Sequence, residues 1–493
     1  MSTRGVLPLV LLSLLPFTVL ATVNSAGYRY GASDLAFYGP AVMQRLDPAL
    51  FPRDTPVIQA QARLTLMDET VAALATTTDT SLPVLFAALY ALSLGLLAWG
   101  AVLVGALLYR ERWSLAALLT AITLRHAVAQ SGTNTLEGYF HPRQLAFALG
   151  VLAVAAFLRS RHFTVLLLLG AAASLHPTTT LWFAVWLLVA AFVAEPRWRV
   201  HLATLAAVGA AVAVWTLAAG PLAGRLHRMD PEWLAAIAEK DYLFPLQWSP
   251  ISWGANLGYV AVIILVFRRR VSAGLLVPRE RALVAGCLSL AVVFFVALIF
   301  NAARVALAIQ LQPARVFWML DFLTVVYGVW LVAEGTAPSA RRAQAALAVL
   351  LVASIARGAY VMRVLFPDRP LAQIALPDDD WGRAMRWARG TPIDSGWLAS
   401  PLHAAEYGTS VRLAAGRDVF VEAFKDEALG MYDRRIAIRT RDRLAEFGTS
   451  DTLTTVRARE LAAEYGLDYY VTHHIHDLPI AYEAGELRVY RLR

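Results

Sequence analysis

The sequence predicts a polytopic α-helical membrane protein of about 11 transmembrane helices that ends in an α/β domain. Two observations carry this prediction. Of the 493 residues, 58% are hydrophobic and only 16% are charged, whereas soluble domains are nearer to about one half and one quarter. The hydrophobic residues also cluster in runs of about 17 to 25, the length with which a helix crosses about 30 Å of hydrocarbon. A water-soluble globular protein is therefore excluded.

Eleven apolar runs follow one another before the composition changes, and each is a candidate span. They are 6–23, 82–108, 113–130, 143–158, 162–176, 178–194, 201–220, 253–267, 281–301, 314–333 and 342–361. The runs 162–176 and 178–194 could also form one bent element, but the parity of the later spans would then place the arginine run 268–270 outside. Cytoplasmic loops are the ones enriched in arginine, so two separate spans are favoured.

The distribution of arginine predicts the orientation of these spans. If the chain starts in the cytoplasm, every inside segment is basic, from Arg4 to the pair Arg341 and Arg342, whereas 131–142 contains neither arginine nor lysine. We therefore expect a cytoplasmic N-terminus, with the first long loop (24–81) and the C-terminal region exported. The first run could instead be a cleaved signal peptide, which would leave that loop on the same side.

The composition changes near the end of the last span, where prolines and a run of three aspartates appear at 367–380. We therefore predict a transmembrane domain over 1–366 and a soluble exported domain over 367–493. Helix-like runs alternate there with β-rich runs at 396–399, 418–422, 468–472 and 487–492, a pattern typical of a small α/β domain. The sequence contains no phosphate-cradling P-loop motif. Its formal charge of +8 lies mostly in arginine clusters that set topology, so no nucleic-acid partner is expected.

Two carboxylates flank an aromatic and proline-rich segment of the first exported loop. Asp34 follows the stretch 28–33, and Asp54 follows Pro52 and Arg53. Partial burial against lipid and aromatic rings would raise the pKa of such a carboxylate and suit it to act as a base. Asp34 and Asp54 are therefore candidate catalytic residues. The alternative is that Asp34 caps a helix and Asp54 pairs with Arg53.

Glu137, His141 and Arg143 form a second polar group on the exported side. Because an arginine there is not needed for topology, Arg143 is expected to bind either Glu137 or an anionic headgroup. The three residues could hold a phosphate or sugar hydroxyls, or Arg143 and Glu137 could form a structural pair. His176, beside Pro177 at the end of another span, is a further candidate; alternatively it satisfies backbone carbonyls that the proline frees.

Arg304 and Arg315 stand near the exported end of a late span. Guanidinium groups bind phosphate oxygens through paired hydrogen bonds, so both are candidate phosphate ligands, although an arginine at a helix end can also snorkel to water at little cost. Asp321 lies deeper in the same span. A charge there costs about 2.5 to 3.5 kcal/mol on insertion scales, so Asp321 should face the bundle interior.

An acid shortly after the first span, a long exported loop, many further spans and an exported C-terminal domain resemble the GT-C superfamily of polyprenyl-phosphate-dependent glycosyltransferases. That superfamily includes protein O-mannosyltransferases, aminoarabinose transferases of lipid A and oligosaccharyltransferase catalytic subunits. The resemblance implies that Asp34 activates the acceptor or supports the site, and that Arg315 holds the lipid phosphate. The first loop is also similar to that of uncharacterised bacterial multi-span proteins. The chain departs from the superfamily in lacking a paired acid at Asp34 and a Trp-Trp-Asp signature.

The resemblance implies a glycosyltransferase of the bacterial inner membrane. Its partners would be membrane lipids, a polyprenyl-phosphate sugar donor and a glycan, lipid or protein acceptor. A divalent cation, Mg or Mn, could be held through oxygen atoms of Asp34, Asp54 and Glu137, and this cofactor stays open. The rival functions are a transporter or flippase of lipid-linked substrates and a non-catalytic assembly protein. Convergence of Asp34, Glu137, His176 and Arg315 in one cavity would favour the enzyme, and their dispersal the assembly protein.

Overall fold

The computed structural model describes residues 3–450 and 452–493 of the chain. The side chain of Arg4, on which the predicted orientation partly depends, lies outside the described part. Up to Leu365 the described chain is almost entirely helical, and its longer strands all follow that point.

The helices of this first part are, in chain order, α1 (Thr3–Asn24), α2 (Leu35–Leu46), α3 (Thr55–Ala62), α4 (Met67–Thr78), α5 (Leu82–Leu108), α6 (Arg112–Thr123), α7 (Pro142–Leu158), α8 (His162–Leu175), α9 (Pro177–Ala194), α10 (Arg199–Ala218), α11 (Pro231–Ala236), α12 (Pro250–Ser272), α13 (Glu280–Ala302), α14 (Ala306–Gln310), α15 (Val316–Ala333) and α16 (Ala340–Tyr360). A π-helical turn, Val361–Leu365, continues α16. Three two-residue strands accompany them: β1 (Tyr28–Arg29), β2 (Ala127–Val128) and β3 (Thr133–Asn134).

Among the residues that the structure describes, seven helical segments are long and apolar enough to cross a membrane, by length and composition. They are Leu82–Leu108, Pro177–Ala194, Pro196–Ala218, Pro250–Ser272, Glu280–Ala302, Ala306–Ala333 and Ala340–Leu365. Three shorter apolar helices accompany them: Leu11–Asn24, Pro142–Leu158 and His162–Leu175. The protein is therefore a multi-pass membrane protein, with fewer helices of full spanning length than the eleven predicted runs.

The predicted span 113–130 is wrong in its second half. Helix α6 has 12 residues, which at 1.5 Å per residue gives about 18 Å, well short of the hydrocarbon thickness. The chain then turns into the antiparallel β2–β3 pair. Polar side chains stop the helix from continuing into lipid: Arg125 donates to the carbonyl of Leu136 at 2.8 Å, and His126 contacts Asp321 at 2.7 Å. Asp321 is buried in the bundle, as expected.

The first loop is folded against the C-terminal part of the chain. Strand β1 pairs in parallel with β4 (Ala372–Gln373). Gly27 precedes β1 at φ 80°, and a Cβ atom there would lie 2.5 Å from the carbonyl oxygen of Pro370. Only glycine permits so close an approach at this backbone angle. The pairing fixes the start of the loop, and with it Asp34, next to the C-terminal part.

The remaining elements, in chain order, are α17 (Asp380–Ala388), β5 (Gly396–Leu398), α18 (His403–Glu406), α19 (Val411–Ala415), β6 (Asp418–Val419), α20 (Ala423–Gly430), α21 (Arg434–Phe447), α22 (Thr455–Tyr465), β7 (Leu467–Thr472), β8 (Ile480–Ala484) and β9 (Leu487–Arg491). The strands form one five-stranded sheet in the order β6-β5-β7-β9-β8. Strands β5, β6 and β7 run parallel, and β7, β9 and β8 are antiparallel neighbours. The sequence had pointed to β5, β6, β7 and β9 but not to β8.

Alternate residues of this sheet fill two separate cores, as the two-residue period of a strand requires. Trp397 and Val489 pack with α17 and α19 on one face, while Leu398 and Tyr490 pack with α22 on the other. Helices α19 and α20 also reach the first loop, where α19 packs on α2 and α20 packs on α3. The first loop, the ends of several spans and the C-terminal helices therefore meet in one place.

Candidate functional site

A cavity of about 510 Å³ lies where these three parts meet, and we call it the Asp34 cavity. The first loop contributes Asp34 and Tyr38, the N-terminal ends of α7, α9 and α15 contribute polar side chains, and the segment around α20 forms another wall. Its charged and polar lining residues include Asp34, Tyr38, His141, Arg143, His176, Lys240, Tyr242, Arg315, Glu422, Lys425 and Tyr432.

His141 holds one oxygen of Asp34. Its Nε2 lies 2.9 Å from Asp34 Oδ2, and its Nδ1 accepts the backbone N–H of Arg143 at 3.1 Å. Burial and the nearby Arg143 lower the pKa of His141 to about 3, although Asp34 opposes the change. The ring is therefore neutral at physiological pH. Since Nδ1 is an acceptor, the proton must sit on Nε2 and be donated to Asp34.

Lys425 of α20 holds the other oxygen of Asp34. Its Nζ lies 2.5 Å from Asp34 Oδ1 and 3.2 Å from the Ser33 hydroxyl. Burial alone would raise the pKa of Asp34, but Lys425 and His141 together outweigh it and hold the pKa well below its usual range. The expectation of a raised pKa is therefore wrong, because the sequence did not reveal the cation beside Asp34. Asp34 is ionised, and about a fifth of its side chain (21%) is exposed, toward the cavity.

Arg143 and Glu137 form the pair that was one of the two predicted alternatives. Arg143 Nη2 donates to Glu137 Oε1 at 2.7 Å, and Nη1 donates to the Gly132 carbonyl at 3.0 Å. Both side chains are buried. The pair places the guanidinium of Arg143 on the wall of the Asp34 cavity, so its structural and site-lining roles coincide.

His176 ends α8 and caps α9. Its Nδ1 accepts the backbone N–H of Thr179 at 3.2 Å, so the ring satisfies a helix donor instead of a carbonyl. Its Nε2 then carries the proton. The ring lines the Asp34 cavity and lies 6.3 Å from the ring of His141, centroid to centroid.

Arg315 stands at the N-terminal end of α15 without a carboxylate partner among the residues that the structure describes. Its Nε is buried and makes no hydrogen bond there. Three tyrosines, Tyr38, Tyr242 and Tyr432, line the same cavity, and burial raises the pKa of each hydroxyl. Neutral hydroxyl donors and an unpaired guanidinium thus share the cavity, a combination that suits an anion.

The lysines of the chain were not among the predicted site residues. The sequence contains only two, Lys240 and Lys425, and both line the Asp34 cavity. Lys240 Nζ pairs with Glu427 at 2.6 Å. The use of lysine at these two positions alone, against many arginines elsewhere, was the signal available in the sequence.

Two predicted site residues lie elsewhere. Asp54 is 1% exposed and is enclosed by Arg412 and Arg439, at 2.8 and 2.6 Å. Asp54 lines neither the Asp34 cavity nor the neighbouring cavity that Arg369 lines. Its predicted catalytic role is therefore corrected to a structural role. Its pairing with Arg53 is also wrong, because Arg53 donates to the Gly466 carbonyl. Arg304 is exposed and away from the cavity, so it is no phosphate ligand of this site.

The three acids offered for a divalent cation do not come together. Asp34 is held by Lys425 and His141, Asp54 by its arginines, and Glu137 by Arg143. Within residues 3–450 and 452–493, no group of three histidine, cysteine or acidic side chains could hold a metal ion. The residues present do not fit the expected oxygen-ligand site.

No protein-family model matches the chain, and no curated protein matches it. Among solved structures, it is similar to the arabinofuranosyltransferase AftD from Mycobacteria at 15% identity and a TM-score of 0.48. That match covers 96% of this chain and 35% of AftD; the chain thus spans about a third of the length of that protein.

The chain is also similar to the oligosaccharyltransferase of Archaeoglobus fulgidus. The apo form matches at 13% identity and a TM-score of 0.46, covering 94% of this chain and 69% of the enzyme. The form tethered with an acceptor peptide matches at 12% identity and a TM-score of 0.39, with 94% and 68% covered.

Proposed function

We propose that the protein is a glycosyltransferase that moves a sugar from a polyprenyl-phosphate donor to an acceptor at the outer face of the bacterial inner membrane. One observation carries the proposal: an ionised carboxylate, Asp34, and an unpaired guanidinium, Arg315, line the same cavity. His176 lines it too, and Glu137 supports Arg143 on its wall. This grouping is what an enzyme requires, whereas a purely anchoring bundle does not need it.

The donor phosphate would bind beside Arg315. A guanidinium group binds two phosphate oxygens at once, and a partly desolvated setting strengthens these hydrogen bonds. The N-terminal ends of α7, α9 and α15 also meet at this cavity, and the positive end of a helix dipole stabilises an anion. Tyr242 and Tyr432 would supply neutral hydroxyl donors to the remaining phosphate oxygens.

The reaction is a displacement at the anomeric carbon of the donor sugar. The acceptor hydroxyl gives its proton to a carboxylate oxygen of Asp34 while its oxygen forms a bond to the anomeric carbon. The bond between that carbon and the phosphate oxygen breaks, and polyprenyl phosphate leaves with the electron pair. Arg315 stabilises the charge that develops on the phosphate. His141 keeps Asp34 oriented through its Nε2 proton.

Lys425 must release Asp34 before that proton transfer. A carboxylate whose pKa is held far down by a lysine is a weak base, so Asp34 accepts a proton poorly while Lys425 is paired with it. An anionic donor in the cavity offers Lys425 a second partner. The movement of Lys425 from Asp34 to the phosphate would raise the pKa of Asp34 once the donor has bound.

The position of the charges within the spans supports a site at the helix ends over a transport path. In the described spans, the buried Arg270 is paired with Glu280 at 3.0 Å, and Asp321 is paired with His126. Such pairs fix neighbouring elements to each other. A transporter would need polar groups that continue through the bundle.

The test is sugar transfer by the purified protein in lipid nanodiscs, supplied with a panel of labelled polyprenyl-phosphate sugars and cell-envelope acceptors. We expect Asp34→Asn to lower the transfer rate by about 10²- to 10⁴-fold, the usual contribution of a general base. We expect Arg315→Gln to raise the KM for the donor by about tenfold or more, the loss of a charged hydrogen bond. Arg304→Gln, at an exposed arginine outside the cavity, is the matched control and should behave as wild type.

Undiminished transfer by Asp34→Asn would exclude Asp34 as the base. Equal donor KM values for the Arg315 and Arg304 variants would exclude Arg315 as the phosphate ligand, and would move the donor to another part of the surface.

A further inference from the structure

A second cavity, of about 530 Å³, adjoins the Asp34 cavity, and we call it the Arg369 cavity. The two share the lining residues Arg29, Ser33, Asp34, Gly132 and Arg143. The Arg369 cavity is further lined by, among others, Arg125, Glu137, Tyr139, Phe366 and Arg369. Asp34 therefore stands in the wall between two spaces of similar size.

The partners of Asp34 line both cavities, with Lys425 and His141 in the Asp34 cavity and Tyr139 in the Arg369 cavity. Lys425, which holds Oδ1, lines only the Asp34 cavity. Tyr139, whose hydroxyl lies 3.4 Å from Oδ2, lines only the Arg369 cavity. A group in either space can thus approach the same carboxylate.

The Arg369 cavity carries guanidinium groups that lack carboxylate partners. Among the described residues, no acid lies within ion-pair distance of Arg29 or Arg369, and Arg125 has only a 3.8 Å contact with Glu137. Arg369 lies over the ring of Phe366 at 3.5 Å. Burial and the neighbouring Arg29 lower the pKa of Arg369 to about 10, so it is still positive at neutral pH. Like charges held together in this way are relieved by an anion.

The acids on the wall cannot supply that anion. Glu137 is committed to Arg143 at 2.7 Å, and Asp34 is committed to Lys425 and His141. The cavity is therefore positive after its own ion pairs are complete. Guanidinium recognises phosphate through paired hydrogen bonds.

We propose that the Arg369 cavity binds a phosphate carried by the acceptor, so that the acceptor is a phosphorylated glycan or lipid. This inference rests on the proposed function. In a direct displacement at an anomeric carbon, the attacking oxygen and the leaving group stand on opposite faces of the sugar. A donor phosphate beside Arg315 in the Asp34 cavity leaves the Arg369 cavity for the acceptor, whose hydroxyl would meet Asp34 from the Tyr139 side.

The two lysines provide a direct reporter of which cavity is occupied. Reductive methylation with ¹³C-formaldehyde labels lysine amines and preserves their charge. Both lysines line the Asp34 cavity, and neither lines the Arg369 cavity. The probes are glycerol 3-phosphate, a soluble phosphate with hydroxyls, and farnesyl phosphate, a short mimic of the donor lipid, each titrated into the full-length protein in nanodiscs.

We expect glycerol 3-phosphate to bind without moving the lysine methyl signals. Its Kd, measured by calorimetry, should rise about tenfold or more in Arg369→Gln and in Arg125→Gln, since each removes a charged hydrogen bond. It should stay unchanged in Arg315→Gln and in the control Arg363→Gln, at an exposed arginine that lines neither cavity. Farnesyl phosphate should shift the lysine signals and lose affinity in Arg315→Gln but not in Arg369→Gln. Thermal unfolding of each variant checks that it is folded.

Equal affinity of wild type and Arg369→Gln for glycerol 3-phosphate would overturn the inference. So would a loss of farnesyl phosphate binding in Arg369→Gln with none in Arg315→Gln, because the Arg369 cavity would then hold the donor. These binding results are separate from the transfer assay. Sugar transfer by wild type with no effect of Arg369 on phosphate binding would leave the proposed function standing and remove only the acceptor assignment.

Discussion

Asp34 and Asp54 lie in the same loop, both at the start of a short helix, yet their surroundings differ in one decisive respect. Asp34 is held by Lys425 and His141 at the edge of a cavity, and the side chain of Lys425 is partly exposed. Asp54 has its oxygens filled by Arg412, Arg439 and the Val419 N–H in a sealed junction. An ionised carboxylate can serve chemistry only where its partner can be replaced. Asp54, an aspartate of the same loop, has a structural role instead.

The Asp54 junction is built from a chain of buried ions. Arg412, which is 1% exposed, binds Asp54 with Nε at 2.8 Å and Asp426 with its two other nitrogens at 2.5 and 3.0 Å. Burial alone would raise the pKa of Asp54, but the two arginines outweigh it and lower the pKa. The first loop is thereby joined to the C-terminal part of the chain, which also contains α20 and Lys425.

The largest expected effect is the loss of this junction. Asp54→Asn leaves Arg412 and Arg439 without one charged partner in a buried setting, so we expect stability to fall by about 3–5 kcal/mol. Asp34→Asn is the matched control, with the same change in the same loop. It should cost much less stability, because Lys425 can turn to the water in the cavity. Thermal unfolding of both variants in the same detergent measures the difference.

Equal unfolding temperatures of Asp34→Asn and Asp54→Asn would contradict the difference between the two aspartates. That result would mean that Asp34 is as firmly built into the structure as Asp54, and that Lys425 cannot exchange. A loss of sugar transfer in Asp34→Asn would then reflect damage to the fold.

The next effect concerns the pKa of Asp34. Lys425→Met removes the principal cause that lowers this pKa, leaving burial opposed chiefly by His141. An opposite charge at this distance lowers a carboxyl pKa by about 1–3, so the acid limb of kcat/KM should move to higher pH by about that amount. Activity that depends on ionised Asp34 is present above its pKa and is lost as pH falls through it. Lys425→Arg keeps the charge and should keep the wild-type limb.

An unchanged acid limb in Lys425→Met would show that Lys425 does not control the protonation of Asp34. The proposed release of Asp34 by the donor phosphate would then fall, while the role of Asp34 as the base would be untouched.

Much of the site could be predicted because the membrane restricts where polar side chains can stand. His141, Arg143, His176 and Arg315 each lie at or near the end of an apolar run, Asp34 lies in the loop that follows the first run, and the arginine bias predicts that all five are on one side. Side chains confined to one edge of a bundle are closer in space than side chains spread along its length. Topology therefore favours their convergence but does not determine it, since Arg304 and Asp54 do not line the Asp34 cavity.

The difference between Asp34 and Asp54 could not be predicted, because it depends on partners far away in sequence. Arg412, Arg439 and Lys425 all lie in the C-terminal part of the chain, and nothing local shows which arginine or lysine faces which acid. The predicted rise of the Asp34 pKa was wrong for the same reason: an aromatic setting in the sequence indicates burial, whereas an ion pair with a residue far along the chain has no local signal. The predicted span 113–130 extended too far beyond the end of α6, because apolar composition alone does not show that Arg125 and His126 bind polar partners.

The smallest expected effect concerns a third acid, Glu422. Among the described residues it has neither a lysine partner, as Asp34 has, nor arginine partners, as Asp54 has. Glu422 lines the Asp34 cavity, is 1% exposed, and its Oε2 makes no hydrogen bond with the described residues. Burial and the nearby Asp426 raise its pKa to about 8, against the opposing effect of Lys425. Unlike Asp34 and Asp54, it is therefore protonated at neutral pH. The folded protein retains this proton where the unfolded chain, with an ordinary glutamate pKa of about 4.3, has lost it.

Stability must therefore fall as pH rises from the unfolded pKa of Glu422 to its folded pKa, and level off above about 8. Glu422→Gln removes this titrating group, so the stability of the variant should lack the fall with pH that Glu422 causes. We expect the variant to match wild type near pH 4 and to be more stable than wild type at pH 8, seen as a higher unfolding temperature, because it has no proton to retain on folding. Glu427→Gln, at a glutamate already paired with Lys240, is the control and should give no such gain. A constant difference between Glu422→Gln and wild type across this range would mean that Glu422 is ionised in the cavity, and that its surroundings resemble those of Asp34 after all.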